Sequence, residues 1–386
     1  MSSAVDWKVA VRRAGGLARP GPRGSRAELR ALIQVLRSAA AEAPAHVAQI
    51  TGLHDAAARV VGIPTYVVDR PRWAEANVEM FAHLTDGLLP TSKLPGSARM
   101  AGEEMGVMLA LLAGKVLGQF DPFTPPGAVG RGARTDGAGG VDGAGGADAT
   151  GGADGAGAAD GAAGRLLLVA PNVLKVEREL DLDAMDFRMW VCLHEQTHAV
   201  QFAAAPWLAD HLATRMRALV QGISATEDGA DRLARALGAV VDTLRSVLSG
   251  TGEASSFEVA GPLVEAFLTA DERSAMAEVV AVMSLLEGHA DVVMDAVGPA
   301  RLPSVRRIRA AFEKRRDGTS LPDVALRRLL GMDAKVAQYR NGAAFVRGVV
   351  NRVGHRGLNA VWDAPEHLPS AAEVADPEVW VRRVHG

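Results

Sequence analysis

The sequence predicts a mainly α-helical protein, α+β in class, with one small β element. Apolar residues recur at helical spacing through most of its 386 residues. Two of the periodic segments open on capping boxes. Only two short aliphatic runs read as strands.

In chain order, Ser25-x-x-Glu28 opens a helix that places Leu29, Leu32, Ile33 and Leu36 on one face. Tyr66-Val67-Val68, between Pro64 and Asp69-Arg70-Pro71, reads as a strand. Residues 72–89 and 100–118 read as helices. The second carries Met105, Val107, Met108, Leu109, Leu111, Leu112, Val116 and Leu117, which predicts burial all round. Leu166-Leu167-Leu168-Val169, ending at Ala170-Pro171, is the other strand. Asp183 or Asp186 caps a helix in which Phe187, Trp190 and Val191 lead into His194, His198 and Phe202, and Pro206 stops it. Thr269-x-x-Glu272 opens a further helix that ends at Gly298-Pro299. The basic run within 301–316 (Arg306, Arg307, Arg309, Lys314, Arg315, Arg316) reads as a solvated helix face, and Asp333 opens a helix holding Tyr339.

Residues 127–164 are a different material. Asp136, Asp142, Asp148, Asp154 and Asp160 recur every six residues among glycine and alanine. Such a segment buries too little apolar area to offset its ordering entropy, so it is expected to be a disordered insert. It divides the chain into an N-terminal helical part, 1–126, and a second helical part, 165–386, expected to pack as one unit.

Composition narrows the function. With 48% hydrophobic residues the chain can build a sizeable core. A net charge of −3 gives no bulk attraction to nucleic acid or anionic membrane, and neither partner is expected. No run of about 18 apolar residues is present to span a bilayer. Cys192 is the single cysteine, which excludes an internal disulfide. With no apolar leader after Met1, a cytoplasmic location is expected.

The chemistry lies in His194-Glu195-Gln196-Thr197-His198. On a helix, residues four apart project from one face, so two neutral imidazoles can bind one Zn²⁺. Glu195, beside them, is placed to take a proton from water at the ion's open position. The periodic pattern puts both histidines on the apolar, inward face. A third ligand must come from elsewhere, and Glu287 is the best candidate. It interrupts the apolar stripe Met276, Val280, Met283, Met294 and Val297 with a carboxylate whose burial a cation would offset. Asp291, one turn on, is placed to orient a ligand histidine through its second ring nitrogen. His289 and Asp291 remain alternative ligands, although His289 points about 200° from Glu287.

The box, followed after a long gap by Glu287-Gly288-x-Ala290 and Asp291, resembles the gluzincin pattern of zinc metallopeptidases. Further stretches resemble an actinobacterial zincin-like family: Val67-Val68-Asp69-Arg70-Pro71, residues 116–121, Val169-Ala170-Pro171-Asn172, residues 187–190, Gln201-Phe202, Pro206-Trp207-Leu208 and Gln338-Tyr339-Arg340. Members are described as hydrolases or zinc-dependent metalloproteases, and one branch as associated with biosynthesis of a deazaflavin coenzyme. The resemblance implies zinc held by His194, His198 and Glu287, with Asp291 behind the first histidine. It also implies cleavage of a peptide or small amide, and that the strand at residues 166–169, just before the metal helix, pairs with extended substrate. Zinc peptidases of this kind use a tyrosine or histidine for the oxyanion, which nominates Tyr339, with His355 as the weaker alternative. Two other functions remain open at this point: a structural zinc site without turnover, and an accessory role in coenzyme biosynthesis.

Overall fold

The computed structural model describes residues 4–86, 88, 96–124, 164–224, 269–317 and 332–386, without the side chains of 220, 222–224, 315–317 and 332–341. Five helices and two strands precede the insert: α1 (Trp7–Leu17), α2 (Arg26–Thr51), α3 (His54–Val60), β1 (Thr65–Val68), α4 (Arg70–Leu84), α5 (Ser97–Ala113) and β2 (Gly118–Asp121). After it come β3 (Arg165–Val169), α6 (Ala170–Glu179), α7 (Ala184–Ala204), α8 (Leu208–Ser224), α9 (Ala270–Ala296), α10 (Val305–Asp317), α11 (Met332–Leu358), α12 (Ala371–Ala375) and α13 (Pro377–His385). The mainly helical expectation holds.

The sheet has three strands in the order β1-β3-β2, with β1 parallel and β2 antiparallel to β3. All five β3 residues are buried. Leu166 and Leu168 join a core built from α2, α6 and α7, while Leu167 and Val169 join a second core with α1, α4 and α5. This two-sided burial explains why β3 reads as a continuous aliphatic run rather than an alternating one. At the far end, Arg165 binds Asp121 Oδ2 at 2.9 Å, Glu79 Oε2 at 3.0 Å and the Ala76 carbonyl at 2.8 Å. A buried guanidinium is tolerated because two carboxylates and a carbonyl surround it.

Two expectations need correction here. Residues 100–118 are not one helix buried all round: α5 stops at Ala113, buries Gly102, Gly106, Leu109 and Ala113, and leaves Met105, Val107, Met108 and Leu111 half-exposed. Its last expected residue begins β2, which is too short to show a strand period. The strand that can accept a further partner is also not β3. Both of its edges are taken, which leaves β2 as the edge strand on the side of α7.

Local signals account for most helix boundaries. Asp183 accepts from Asp186 N–H to open α7, which ends just before Pro206. Thr269 and Glu272 form the reciprocal capping box of α9. Ser25 caps α2 through Glu28 N–H, but the Glu28 carboxylate turns to Arg178 instead, and Leu29 is exposed while Leu32 and Leu36 are buried. The basic run is partly paired: Arg307 reaches Asp181 and Arg309 reaches Asp291. The repeat insert lies outside the described residues.

α9 and α11 cross with their backbones in contact. A methyl group on Gly288 would lie 2.2 Å from the Gly342 carbonyl carbon, and one on Gly342 would lie 2.1 Å from Ser284 O. Neither helix can rotate or withdraw without losing this fit, so the crossing fixes the position of Glu287, next to Gly288.

Two outcomes follow. Gly342→Ala should lower stability by about 1–3 kcal/mol in urea unfolding, because the clash is with backbone and cannot be relieved by a rotamer. Deleting residues 130–163 should leave the melting temperature nearly unchanged, because Asp121 and Arg165, which flank the excursion, already face each other in register; a fall of many degrees would contradict this.

Candidate metal centre

α7 runs through the middle of the molecule, and most of its circumference is buried. Cys192, Leu193, Glu195, Gln196, Thr197, Ala199 and Val200 are all covered, packed against α2, α3, α9 and β2. The histidines are the exception: the side chain of His194 is 25% exposed and that of His198 13%. They continue the line of the buried core residues Phe187 and Val191 to a point where α7 is partly open to solvent. Glu287 is partly exposed as well. Val282, Leu285, Leu286, His289 and Val293 form the buried face of α9, whereas Met276, Val280, Met283 and Glu287 form a half-exposed line. The partly exposed side chains of His194, His198 and Glu287 thus face one another between α7 and α9.

The three expected ligands meet there. His194 Nε2 lies 3.5 Å from Glu287 Oε2, His198 Nε2 lies 3.6 Å from Glu287 Oε1, and the two Nε2 atoms are 3.2 Å apart. One donor atom from each residue falls within 4.8 Å of the others. Ligand bonds of about 2.0–2.1 Å in a tetrahedral zinc site place donors roughly 3.3 Å apart. The donor set and its spacing therefore fit a zinc-sized cation. Among the described residues, no other His, Cys, Asp or Glu belongs to this group.

Electrostatics support the same reading. Burial by itself would lower the His194 pKa. The hydrogen bond and charge of Glu287, helped by Glu195 and Asp291, outweigh burial and lift it to about 9. His198 moves down, first through burial. In the chain without metal, a proton on His194 thus supplies the cation that the carboxylates demand.

Glu195 points to β2. Its carboxylate accepts the Phe120 N–H, and burial pushes it up to about 7, with Glu287 adding to the rise while His194 and this bond oppose it. A methyl group on Gly118 would lie 2.6 Å from Glu195 Cγ and 2.8 Å from its Oε1, so only glycine leaves room for this carboxylate. Val169 N–H donates to Leu117 O, and Gln119 faces Leu167, so ladder bonds fall on residues 117, 119 and 121. The backbone polar groups of Gly118 and Phe120 are left on the outer edge, beside Glu195.

Other expected residues fall elsewhere. Asp291 pairs with Arg309 Nη1 at 3.2 Å, while Met294 Sδ sits 3.2 Å from His194 Nδ1. Asp291 acts on His194 through its charge. His289 is fully buried, its pKa pushed by burial down to about 3, and it packs on Trp362 with ring centroids 5.6 Å apart. It is a neutral core histidine and not a ligand. His355 neighbours His289, on which its charge acts, and is not among the ligands. Tyr339 falls within α11, but its side chain lies outside the described residues. Sequence reading missed Gly118, the Phe120 amide and Met294, which no local pattern marks. It also assigned no role to Gln201, whose Oε1 is 2.9 Å from His198 Nδ1, although its place one turn after His198 was legible. A cavity of about 670 Å³ beside β1, lined by Arg37, Tyr66, Asp69 and Arg72, lies apart from this centre.

Because His194 carries a proton at neutral pH, a metal must displace it. Zinc affinity should therefore fall as pH drops below about 9, by up to tenfold per unit, with release of about one proton. Calorimetric titration in buffers of different ionisation enthalpy measures this; binding that releases no proton at pH 7 would contradict it.

Comparison with known proteins agrees with the geometry. Residues 5–381 match the family described as zincin-like metallopeptidase. No curated protein matches the chain. Among solved structures, the chain is similar to "a putative hydrolase with a novel fold from Chloroflexus aurantiacus", at 28% identity over 98% of both chains and a TM-score of 0.59. No described helix is long and apolar enough to cross a membrane. With nearly its whole length matched and the two histidines and the glutamate converging in the fold, the chain belongs to the zincin-like metallopeptidase family.

Proposed function

We propose that this protein is a zinc-dependent hydrolase that cleaves peptide or amide bonds. The observation that carries this reading is the pairing of a three-donor site, spaced as zinc requires, with a separate buried carboxylate on the next residue of the same helix, seated over Gly118. A purely structural zinc site has no use for the second part. A zinc ion held by His194, His198 and Glu287 supplies Lewis acidity toward a carbonyl oxygen and toward water.

The remaining steps belong to the chain's own residues. Glu195 accepts a proton from the attacking water as its oxygen bonds to the carbonyl carbon. The carbon–nitrogen bond then breaks, and Glu195 hands the proton to the leaving nitrogen. A carboxylate whose proton affinity is raised by burial is a better base than an exposed one, and it can return the proton to the leaving nitrogen. The Phe120 N–H holds the carboxylate in place.

The outer edge of β2 supports an extended substrate. Gly118 and the Phe120 carbonyl lie on that edge next to Glu195, which already holds the Phe120 N–H, so a chain added there would run past the metal centre. Tyr339 remains our candidate for oxyanion stabilisation, on the strength of the sequence resemblance alone.

Glu195→Gln tests the mechanism. The amide cannot accept the proton but fills the same space above Gly118. Cleavage of a peptide library should fall by at least about a hundredfold, while zinc stoichiometry stays at that of the unsubstituted protein. Undiminished cleavage by this variant would refute the mechanism.

A further inference from the structure

Gln201 has no place in the chemistry above, yet it is fully buried between the two ligand-bearing helices. Its Nε2 donates to the Leu286 carbonyl at 2.9 Å and lies 3.0 Å from His289 Nδ1. Its Oε1 lies 2.9 Å from His198 Nδ1. Leu286 directly precedes Glu287. One amide therefore ties the last histidine of the box, on α7, to the residue before the third ligand, on α9.

We propose that Gln201, seated on His289, is a positioning residue that sets the tautomer of His198 and the separation of the two halves of the metal site. The inference rests on His198 being a zinc ligand. It follows from which atoms can donate. A carbonyl only accepts, so the Gln201 atom facing Leu286 O must be the NH₂ group. The same NH₂ has a second hydrogen, and His289 Nδ1 accepts it. The carbonyl end of the amide must then face His198, which has to donate from Nδ1. The lone pair of His198 is thereby placed on Nε2, the atom directed at His194 and Glu287. A metal needs that lone pair, and the partner on the far ring nitrogen holds it there.

The alternative amide orientation is excluded at Leu286, where two acceptors would meet with no hydrogen between them. It would set Oε1 against Leu286 O and leave the NH₂ facing His198 Nδ1. His198 would then carry its proton on Nε2, and a metal would have to expel it. Met294 has the corresponding place behind His194, but a thioether is a weak acceptor and ties α7 to no second backbone group. The stronger constraint thus falls on His198.

Gln201→Leu keeps the volume and removes the amide. Zinc affinity, measured by chelator competition, should fall about 10–100-fold. In metal-free protein with ¹⁵N-labelled histidine, His198 should shift from the pure Nδ1–H form to a mixture of tautomers. Gln201→Glu retains an acceptor for His198 and should keep the Nδ1–H form, although it loses the donor to Leu286. A merely structural glutamine would move melting temperature without moving the tautomer. Unchanged zinc affinity and tautomer in folded Gln201→Leu protein would overturn the proposal. So would finding His198 as the Nε2–H form in the unsubstituted protein, a measurement that needs no variant to fold. Failure of the unsubstituted protein to bind zinc at all would instead defeat the zinc-hydrolase reading on which the proposal rests.

Discussion

Two imidazoles and a carboxylate confined within 4.8 Å, with a second carboxylate alongside, make a site that demands positive charge. Burial removes the water that would otherwise screen Glu195, while Glu287 keeps part of its solvent. The molecule answers with a proton on His194, and the donor spacing lets a divalent ion take its place. Much of the surrounding structure serves to keep those donors close. α7 is gripped on nearly all sides, and α9 is held at a fixed distance by the glycine-to-glycine crossing with α11. A looser fold would let Glu287 swing into solvent and pair with water instead.

Glu195 experiences the same constraint with the opposite result. It shares the helix and the field of the two histidines but turns about 100° away from each neighbour along the helix, toward β2. There it meets a backbone amide and the bare Cα of Gly118 rather than a metal-ligand geometry. A rotation of about 100° about one helix thus separates the two imidazoles from the buried carboxylate. The small sheet contributes little area to the fold, yet its edge strand provides both the amide and the space that this carboxylate needs.

Much of this was legible in the sequence where the signal was local. The capping residues Asp183 and Thr269 set helix starts, Pro206 set a stop, and the box spacing put two imidazoles on one face. Glu287 was legible as a carboxylate breaking an apolar pattern, although that stripe is buried only at Met294 and is half-exposed at Met276, Val280 and Met283. Where a signal depended on a distant partner, sequence reading failed. β2 has four residues and no β-branched run, so nothing local separates it from the end of α5. Asp291 was assigned to a histidine because it lies one turn from Glu287, but Arg309 on α10 competes for it. Leu29 fits the α2 stripe but lies exposed at the start of the helix, outside the packed stretch.

Consecutive residues were enough to read the two imidazoles, Glu195 and the helix that presents them, because residue type and helical spacing are local properties, and Glu287 could be read as a carboxylate out of place in an apolar stripe. Tertiary structure decided the rest. It brought Glu287 and not His289 within reach of the two histidines, left β2 at one edge of the sheet, and placed Gln201 between the two helices. Each of those outcomes depends on which backbone atoms approach one another across long stretches of chain, and such distances are set by packing rather than by any local preference.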